Sequence, residues 1–397
     1  MENLRRLVGE IAQTRRQDLP KLSPLQRSFI PLLSFSSIIY GFALFVRHQL
    51  YYFGFFHRHR LPVPVISVGN LTWGGNGKTP MVEFIAHWFI KSGVSPLILT
   101  RGYAGGDEAK MLQRHLIGTP AKIGVGANRI AIAACFFGRY GYLDSRSRKE
   151  CFDRLHTDLN VEMRSNTDKI GAVILDDGLQ HWRLHRDLEI LMVNGMMPWG
   201  NGQLLPLGPL REPLSALSRA DVAVIHNAEM VPSRELKDIE LMIREVKKNL
   251  PIFLTKLAPS YFFEVKNYCS KLPLTVVSHM AVFCVSAIGF ASAFVQEIEK
   301  MGPLYVDRLG FSDHHWFQYK DIVMMKQRLR KLQDEFGAMP IVVVTEKDYD
   351  RDPLILRLMD PYKVLVLCCQ LQIVPSGGHT EKCFNKLLKQ FMEVNFS

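Results

Sequence analysis

The chain has 397 residues, of which 47% are hydrophobic and 22% are charged, a composition typical of folded globular proteins and not of disordered ones. Its formal net charge of +11 favours an anionic partner such as a phosphorylated substrate, an anionic lipid surface or nucleic acid. No basic run interleaves with aromatic residues as in a nucleic-acid-binding surface, so we expect no nucleic acid partner. The seven cysteines include no CxxC pair, which argues against a zinc ribbon or a disulfide scaffold and favours a reducing compartment.

The N-terminal part of the chain contains a long apolar segment. Residues 28–46 carry no charge, Arg27 and Arg47 flank them, and an aromatic and basic stretch follows at 51–60. About 20 apolar residues span the bilayer core, and flanking aromatic and basic residues are typical of a membrane interface. The pattern predicts a membrane-associated helix that spans the bilayer or lies in its plane; a buried core helix is the remaining alternative. Acidic residues within 1–26 argue against an organellar presequence.

A glycine-rich phosphate-binding loop follows. An apolar strand is predicted at 63–68, and a segment with helical periodicity begins at Lys78 and Thr79. The turn between them contains Gly74, Gly75, Asn76 and Gly77, and this strand–loop–helix context is the one that a Walker A motif requires. Backbone N–H groups of such a loop surround the β-phosphate, the lysine reaches the β- and γ-phosphates, and the hydroxyl binds Mg²⁺. The loop departs from the usual pattern at Thr72, where a glycine is expected.

Two adjacent acids end a second apolar strand. Residues 173–175 lead directly into Asp176 and Asp177, and continuously apolar strands are typical of parallel sheets buried on both faces. A phosphate loop needs a carboxylate at the end of a neighbouring strand to hold Mg²⁺ or its water. The alternative is that these acids only start a turn. The sequence predicts ATP and Mg²⁺ as cofactors of an α/β fold.

Further polar loops follow other predicted strands. The segment RGYAGGDEAK, residues 101–110, contains Asp107 or Glu108 as a possible general base, although it is otherwise an ordinary glycine-rich turn. The segment 200–213 ends in LREP with Glu212, and the segment 310–317 contains His314, a possible proton acceptor or partner of a carboxylate. Charged residues at 345–348 follow the apolar strand at 341–344.

From this order of elements we expect a P-loop NTPase-like, mostly parallel sheet with a smaller C-terminal α/β portion. The predicted division is an N-terminal presequence or membrane anchor helix at 1–60, a P-loop domain at 61–240 and a smaller C-terminal α/β domain at 241–397.

The motifs GNLTWGGNGKTP, RGYAGGDE, VILDDGLQH, GNGQLLPLGPLREP, FSDHH and VTEKD occur in this order. Together they resemble the tetraacyldisaccharide 4′-kinase family, the lipid A 4′-kinases, from about residue 28 to about residue 370. The short loop and the long central segments resemble the plant branch, which is assigned to mitochondria. Arg101 and Asp107 are closer in sequence here than in bacterial members, which makes the acceptor a less direct expectation than ATP.

The resemblance implies an ATP- and Mg²⁺-dependent lipid kinase that phosphorylates the 4′-hydroxyl of a tetraacylated glucosamine disaccharide 1-phosphate, with its N-terminal helix in the membrane. It implies that Asp107 and His314 together deprotonate the acceptor hydroxyl and that Lys78 acts on the phosphates. Asp176, Asp177 and Glu212 are implied as metal-binding or active-site acids. The alternative is a membrane-bound P-loop switch without a sugar-lipid acceptor, which would be expected to contain an NKxD motif; the sequence has none.

Overall fold

The computed structural model describes residues 2–14, 16–102, 106–154 and 168–394. Its helices are α1 (Glu2–Gln13), α2 (Pro24–Tyr52), α3 (Lys78–Lys91), α4 (Asp107–His115), α5 (Arg129–Tyr140), α6 (Ser145–Arg154), α7 (Ser233–Val246), α8 (Ala291–Glu299), α9 (Tyr319–Phe336), α10 (Glu346–Arg351), α11 (Pro353–Arg357) and α12 (Glu381–Val394). Its strands are β1 (Val65–Asn70), β2 (Ser95–Thr100), β3 (Lys122–Val125), β4 (Ile170–Asp176), β5 (Leu188–Asn194), β6 (Val222–His226), β7 (Ile252–Glu264), β8 (Asn267–Leu272), β9 (Ala281–Ser286), β10 (Tyr305–Gly310), β11 (Ile341–Thr345) and β12 (Val364–Val374).

The chain folds into two compact units. The first consists of Met1–Arg101, Gly118–Lys256 and Ile373–Ser397, and the second of Gly102–Ile117 and Leu257–Gln372. The prediction of a mostly parallel α/β fold is confirmed. The predicted boundaries near residues 60 and 240 stay a prediction.

The first unit is built on a parallel sheet in which β1 is central. The strand order is β6-β5-β1-β4-β2-β3, and the first residues of β7 pair with β6. β1, β2, β4, β5 and β6 are buried along their whole length, because helices and loops cover both sheet faces. The carboxyl ends of parallel strands share one edge, so the loops after β1, β2, β4, β5 and β6 lie at the same edge.

Helix α2 belongs to the first unit. Its N-terminus is closed by a capping box, in which Ser23 and Gln26 exchange side-chain and backbone hydrogen bonds. Within the described chain it is the one helix long and apolar enough to cross a membrane, judged by length and composition, and 11% of its apolar window is buried.

The second unit is organised around four parallel strands in the order β10-β9-β11-β12. The end of β7 forms an antiparallel hairpin with β8, in which Phe262 is opposite Leu272. One apolar core is formed by residues of β9, β11 and β12 with α9, and it includes Phe283, Leu329 and Val366. Helix α4 packs on α10, and this contact brings together the charged residues described below.

Candidate active site

The phosphate loop connects β1 to α3 in the first unit. Asn76 fixes its shape, because the buried side-chain amide donates to the carbonyl oxygens of Thr72 at 3.3 Å and Gly74 at 3.0 Å. The amide of Asn194, at the end of β5, donates to the Gly75 carbonyl at 2.9 Å. Gly77 is the N-cap residue of α3 and has a φ of +74°. As a glycine it has no side chain to bond to the N–H groups at the start of the helix. A helix N-terminus that follows such a loop is a favourable place for an anion.

Gly77 packs directly on the buried imidazole of His226. A Cβ atom at position 77 would lie 2.6–2.8 Å from three ring atoms, closer than any real contact. His226 Nδ1 lies 3.1 Å from Thr255 Oγ1, and burial lowers the pKa of His226 to about 4. The ring is therefore neutral at physiological pH, and the phosphate loop packs against it at Gly77.

Asp176 ends β4 as a buried carboxylate with one unused oxygen. Its Oδ2 accepts a hydrogen bond from Thr100 Oγ1 at 3.1 Å, whereas Oδ1 has no hydrogen-bond partner among the described residues. Burial, followed by the charge of Asp177, raises the pKa of Asp176. Arg129 donates to the Asp176 carbonyl oxygen at 2.6 Å, which holds the strand end in place. A buried carboxylate oxygen without a donor is suited to a cation, so the residues present fit Mg²⁺.

Asp177 is held by two cations. Its two oxygens accept from Arg211 Nη1 at 2.8 and 2.9 Å, and Lys78 Nζ lies 3.5 Å from Oδ1. Burial acts to raise the pKa of Asp177, but Lys78 and Arg211 outweigh it and hold the pKa well below its usual range. Asp177 directly follows β4 and has a φ of +53°, in the left-handed region that residues other than glycine seldom adopt. The structure therefore places the loop lysine and the strand-end acid in one ion-pair network.

Of the four predicted metal ligands, Asp177 is engaged by the two cations described above, and the other three differ in their environments. The Thr79 side chain is buried at the start of α3, and Asp176 has the unused oxygen described above. Glu212 is buried, and its Oε2 accepts from Arg219 at 2.7 Å while its Oε1 has no hydrogen-bond partner in the described part of the chain.

In the second unit, Asp107 and His314 form a close pair. Asp107 is the first residue of α4 and is fully buried; its Oδ2 lies 3.2 Å from His314 Nδ1 and accepts from Arg351 Nη2 at 3.0 Å. The His314 side chain is 31% exposed, so the imidazole is the accessible part of the pair. Arg351 is the last residue of α10, so its bond to Asp107 links that helix to the pair, and it also donates to Asp348 Oδ1 of the same helix at 2.9 Å. Tyr103, Ala104 and Gly105 of the RGYAGGDE motif lie outside the described residues.

The two members of the pair have opposite pKa shifts. Burial acts to raise the pKa of Asp107, but hydrogen bonds from His314 and Glu108 and the charge of Lys347 together lower it. The hydrogen bond to Asp107 raises the pKa of His314, against the effect of burial, and the charge of Asp313 adds to the increase. Asp107 is therefore ionised, and the imidazole of His314 binds a proton more readily than an ordinary histidine does.

Three arginines of these clusters, Arg129, Arg211 and Arg351, are functional-site residues that the sequence patterns did not predict. Arg211 lies beside Glu212 in the LREP motif, so its position in that motif could have indicated a role in the site. Arg129 and Arg351 lie in helices without a recognisable pattern, and only the fold brings them to Asp176 and Asp107. The charged residues at 345–348 belong to the cluster around Asp107 and His314, since Lys347 Nζ lies 3.1 Å from Oε1 of Glu108, the neighbour of Asp107.

Comparison with known proteins identifies the family of this chain. The model of the tetraacyldisaccharide-1-P 4′-kinase family matches residues 29–391. The chain belongs to this family. It is 54% identical over 397 residues to a probable mitochondrial tetraacyldisaccharide 4′-kinase of Arabidopsis thaliana, covering 100% of this chain and 99% of the relative. It is 30% identical over 376 residues to a tetraacyldisaccharide 4′-kinase of Syntrophus aciditrophicus, covering 92% and 94% of the two chains.

The family assignment agrees with a solved structure of the same fold. LpxK from Aquifex aeolicus, in complex with ATP, superposes with a TM-score of 0.60 at 22% sequence identity. The similarity covers 93% of this chain and 99% of that one. The likeness supports the mostly parallel α/β architecture of this family member.

Proposed function

We propose that this chain transfers the γ-phosphate of ATP to the 4′-hydroxyl of a tetraacylated glucosamine disaccharide 1-phosphate. The observation that carries the proposal is the Asp107–His314–Arg351 cluster, in a chain of this family that also has a phosphate loop. A nucleotide switch has no acceptor to deprotonate and no need of a buried carboxylate that orients an accessible imidazole. No observation favours the switch alternative.

The proposed nucleotide site is the loop Gly74–Gly75–Asn76–Gly77 with Lys78 and Thr79. The loop N–H groups and the start of α3 would face the phosphates, and Lys78 would exchange its ion pair with Asp177 for phosphate oxygens. Thr79 and the unused oxygen of Asp176 would hold Mg²⁺, with Asp177 and Glu212 as the further acids of the site. When bound, Mg²⁺ supplies positive charge next to the phosphate oxygens.

The proposed reaction is an in-line displacement in which the acceptor oxygen attacks the γ-phosphorus. A bond forms between them, the bond between the γ-phosphorus and the bridging oxygen breaks, and ADP leaves. The hydroxyl proton passes to Nε2 of His314, the nitrogen that does not contact Asp107. Asp107 balances the imidazolium charge, and the hydrogen bond from Arg351 keeps Asp107 oriented. Lys78 stabilises the charge of the transferred phosphoryl group.

We also propose that α2 attaches the chain to a membrane. Its outward residues are large, apolar and exposed: Leu32, Phe35, Ile38, Ile39, Phe42 and Phe45. Its opposite face donates hydrogen bonds to the first unit through Ser37, Tyr40 and Arg47. A segment that packs on a folded unit along one face and exposes apolar side chains along the other suits a helix lying in the plane of the interface. The name of the Arabidopsis relative supports a mitochondrial location.

The experiment that tests the function is a transfer assay with the full chain in detergent. Protein, Mg²⁺ and γ-labelled ATP are incubated with the lipid disaccharide 1-phosphate, and label in the lipid is measured. We expect transfer that Lys78→Ala and His314→Gln each reduce by orders of magnitude, whereas Lys91→Ala, at the other end of α3, leaves it unchanged. Wild-type nucleotide binding without any labelled lipid would contradict the proposal and favour a switch.

A further inference from the structure

We infer that helix α2 is also a structural part of the phosphate site, with Tyr40 and Arg47 as positioning residues for two loops that carry its charged side chains. This goes beyond attachment to a membrane, because it concerns the face of α2 that points away from the exposed apolar residues. The inference rests on the proposed function only where it concerns the rate of phosphate transfer. Measurements of nucleotide affinity test it without assuming a lipid acceptor.

The inward face of α2 follows a regular helical spacing. Leu33, Ser37, Tyr40, Leu44 and Arg47 are separated by three or four residues, and each is buried or half-buried. The polar residues of this face bond to backbone atoms of loops and not to other helices. Ser37 Oγ donates to the Leu204 carbonyl oxygen at 2.9 Å and accepts from the Leu207 N–H at 3.0 Å. The helix is thus bonded to the loop that leads into the LREP motif.

Tyr40 connects α2 to the ion pairs around Asp177. Its hydroxyl donates to the backbone carbonyl oxygen of Arg211 at 2.8 Å. The guanidinium of Arg211 holds both oxygens of Asp177, and Lys78 is the second cation of that acid. Arg211 and Lys78 share the carboxylate of Asp177. If the guanidinium of Arg211 moves away from Asp177, the ion pair between Asp177 and Lys78 therefore becomes stronger. Lys78 then becomes less available to a nucleotide phosphate.

Arg47 connects α2 to the loop that follows Asp177. Its Nη2 donates to the Gln180 carbonyl oxygen at 2.6 Å, and its guanidinium lies 5.5 Å from the ring centroid of Trp182. The Gln180 side chain in turn donates to the carbonyl oxygen of Asn70, the last residue of β1 before the phosphate loop. Arg47 therefore supports the start of the phosphate loop through one intervening residue.

Trp182 extends this second connection to Glu212. Tyr51, near the end of α2, packs on Trp182 with a centroid separation of 5.3 Å. On the same ring, Arg219 lies 4.5 Å from the centroid, and Arg219 donates to Glu212 at 2.7 Å. Both routes from α2 consequently end on acids of the phosphate site.

The test compares Tyr40→Phe with Tyr52→Phe in the full chain, solubilised in detergent. Both changes remove one hydroxyl from α2, but Tyr52 is exposed at the C-terminal end of the helix. We expect Tyr40→Phe to weaken binding of a non-hydrolysable ATP analogue with Mg²⁺ by about three- to ten-fold, the range for one lost hydrogen bond. Tyr52→Phe should leave the affinity unchanged, and neither change should alter the fraction bound to vesicles.

A double-mutant cycle shows whether Tyr40 acts through Arg211. In an Arg211→Gln background, Tyr40→Phe should cause no further loss of nucleotide affinity, because the guanidinium that it positions is gone. A purely structural role would give additive losses. Arg47→Gln should likewise weaken nucleotide binding, with Arg27→Gln, an exposed arginine of the same helix, as its control.

Equal nucleotide affinities for Tyr40→Phe and Tyr52→Phe, or additive losses in the cycle, would overturn the inference. Loss of affinity in Tyr40→Phe that disappears in the Arg211→Gln background would support it even if no variant phosphorylated the lipid. Absence of lipid phosphorylation together with that cycle result would contradict only the proposed acceptor. Failure of the inference and failure of the proposed function are therefore distinguishable.

Discussion

Gly77→Ala tests the packing beneath the phosphate loop. The change adds a methyl group at a residue with a φ of +74°, directly against the buried ring of His226. Two costs are expected: about 1–2 kcal/mol for placing a side chain in the left-handed region, and about 1–3 kcal/mol for overpacking against the ring. Since His226 is buried and contacts Thr255, the ring has little freedom to move away.

Gly93→Ala provides the control for the first of these costs. Gly93 follows the other end of α3, has a φ of +73°, and a Cβ there would meet no atom within 4 Å. Alanine at 93 should therefore carry the backbone cost alone. The difference between the two variants isolates the contact with His226.

The assay combines thermal unfolding with nucleotide titration. We expect Gly77→Ala to lower the Tm by several degrees more than Gly93→Ala, since about 1 kcal/mol corresponds to roughly 2–4 °C in mid-sized domains. Gly77→Ala should also abolish binding of an ATP analogue, while Gly93→Ala should retain it. Adding His226→Ala to Gly77→Ala should recover part of the lost affinity. Equal Tm losses and equal affinities in the two glycine variants would refute this description of the loop.

Two further predictions concern proton transfer and membrane binding. With His314 as the proton acceptor, kcat/KM should rise with pH, because only the neutral imidazole accepts a proton, and its midpoint should lie above the ordinary value of 6.5 since Asp107 raises the pKa of His314. Asp107→Asn should lower the plateau and move this midpoint to lower pH; an unchanged midpoint would show that Asp107 does not control His314. Separately, Phe35→Glu with Phe42→Glu should reduce binding to anionic vesicles severalfold without changing nucleotide affinity. Leu241→Glu, an equally exposed apolar position on α7, should bind vesicles like the wild type, and equal binding by all three proteins would contradict a membrane-facing α2.

Much of the first unit follows from local sequence patterns. The strand, the glycine-rich turn and the amphipathic segment at 63–90 are contiguous, so the chain itself brings Gly77, Lys78 and Thr79 together. Asp176 and Asp177 could be placed near them because parallel strands end at one edge of a sheet. The mostly parallel α/β prediction was confirmed for the same reason.

The connections between distant segments could not be predicted from local patterns. Arg351 reaches Asp107 across 244 positions of the chain, and Tyr40 reaches the carbonyl oxygen of Arg211 across 171. Neither contact has a periodicity or a spacing that marks it in advance. The family resemblance indicated that Asp107 and His314 act together, but not that Asp107 is buried and bonded to an arginine. That arginine donates a hydrogen bond at 3.0 Å that holds the buried carboxylate in position.

Helix α2 shows that a hydropathy pattern can be interpreted only when the contacts of both helix faces are known. Hydropathy alone is compatible with a spanning helix, an in-plane helix or a core helix. The choice depends on which residues point inward, and the inward positions 37, 40 and 47 carry hydrogen-bonding side chains. These bonds along one face are the reason why we propose the in-plane arrangement for α2.

In the proposed reaction, phosphate moves from ATP to one hydroxyl of a lipid disaccharide. The most direct measurement compares label transfer from γ-labelled ATP to two acceptors, the tetraacylated disaccharide 1-phosphate and its analogue that lacks the 4′-hydroxyl, using the same detergent-solubilised protein. The proposal predicts labelled product with the first acceptor, none with the second, and none with either for Lys78→Ala. Equal labelling of both acceptors by the wild-type protein, or no labelling of either while the ATP analogue still binds, would contradict it.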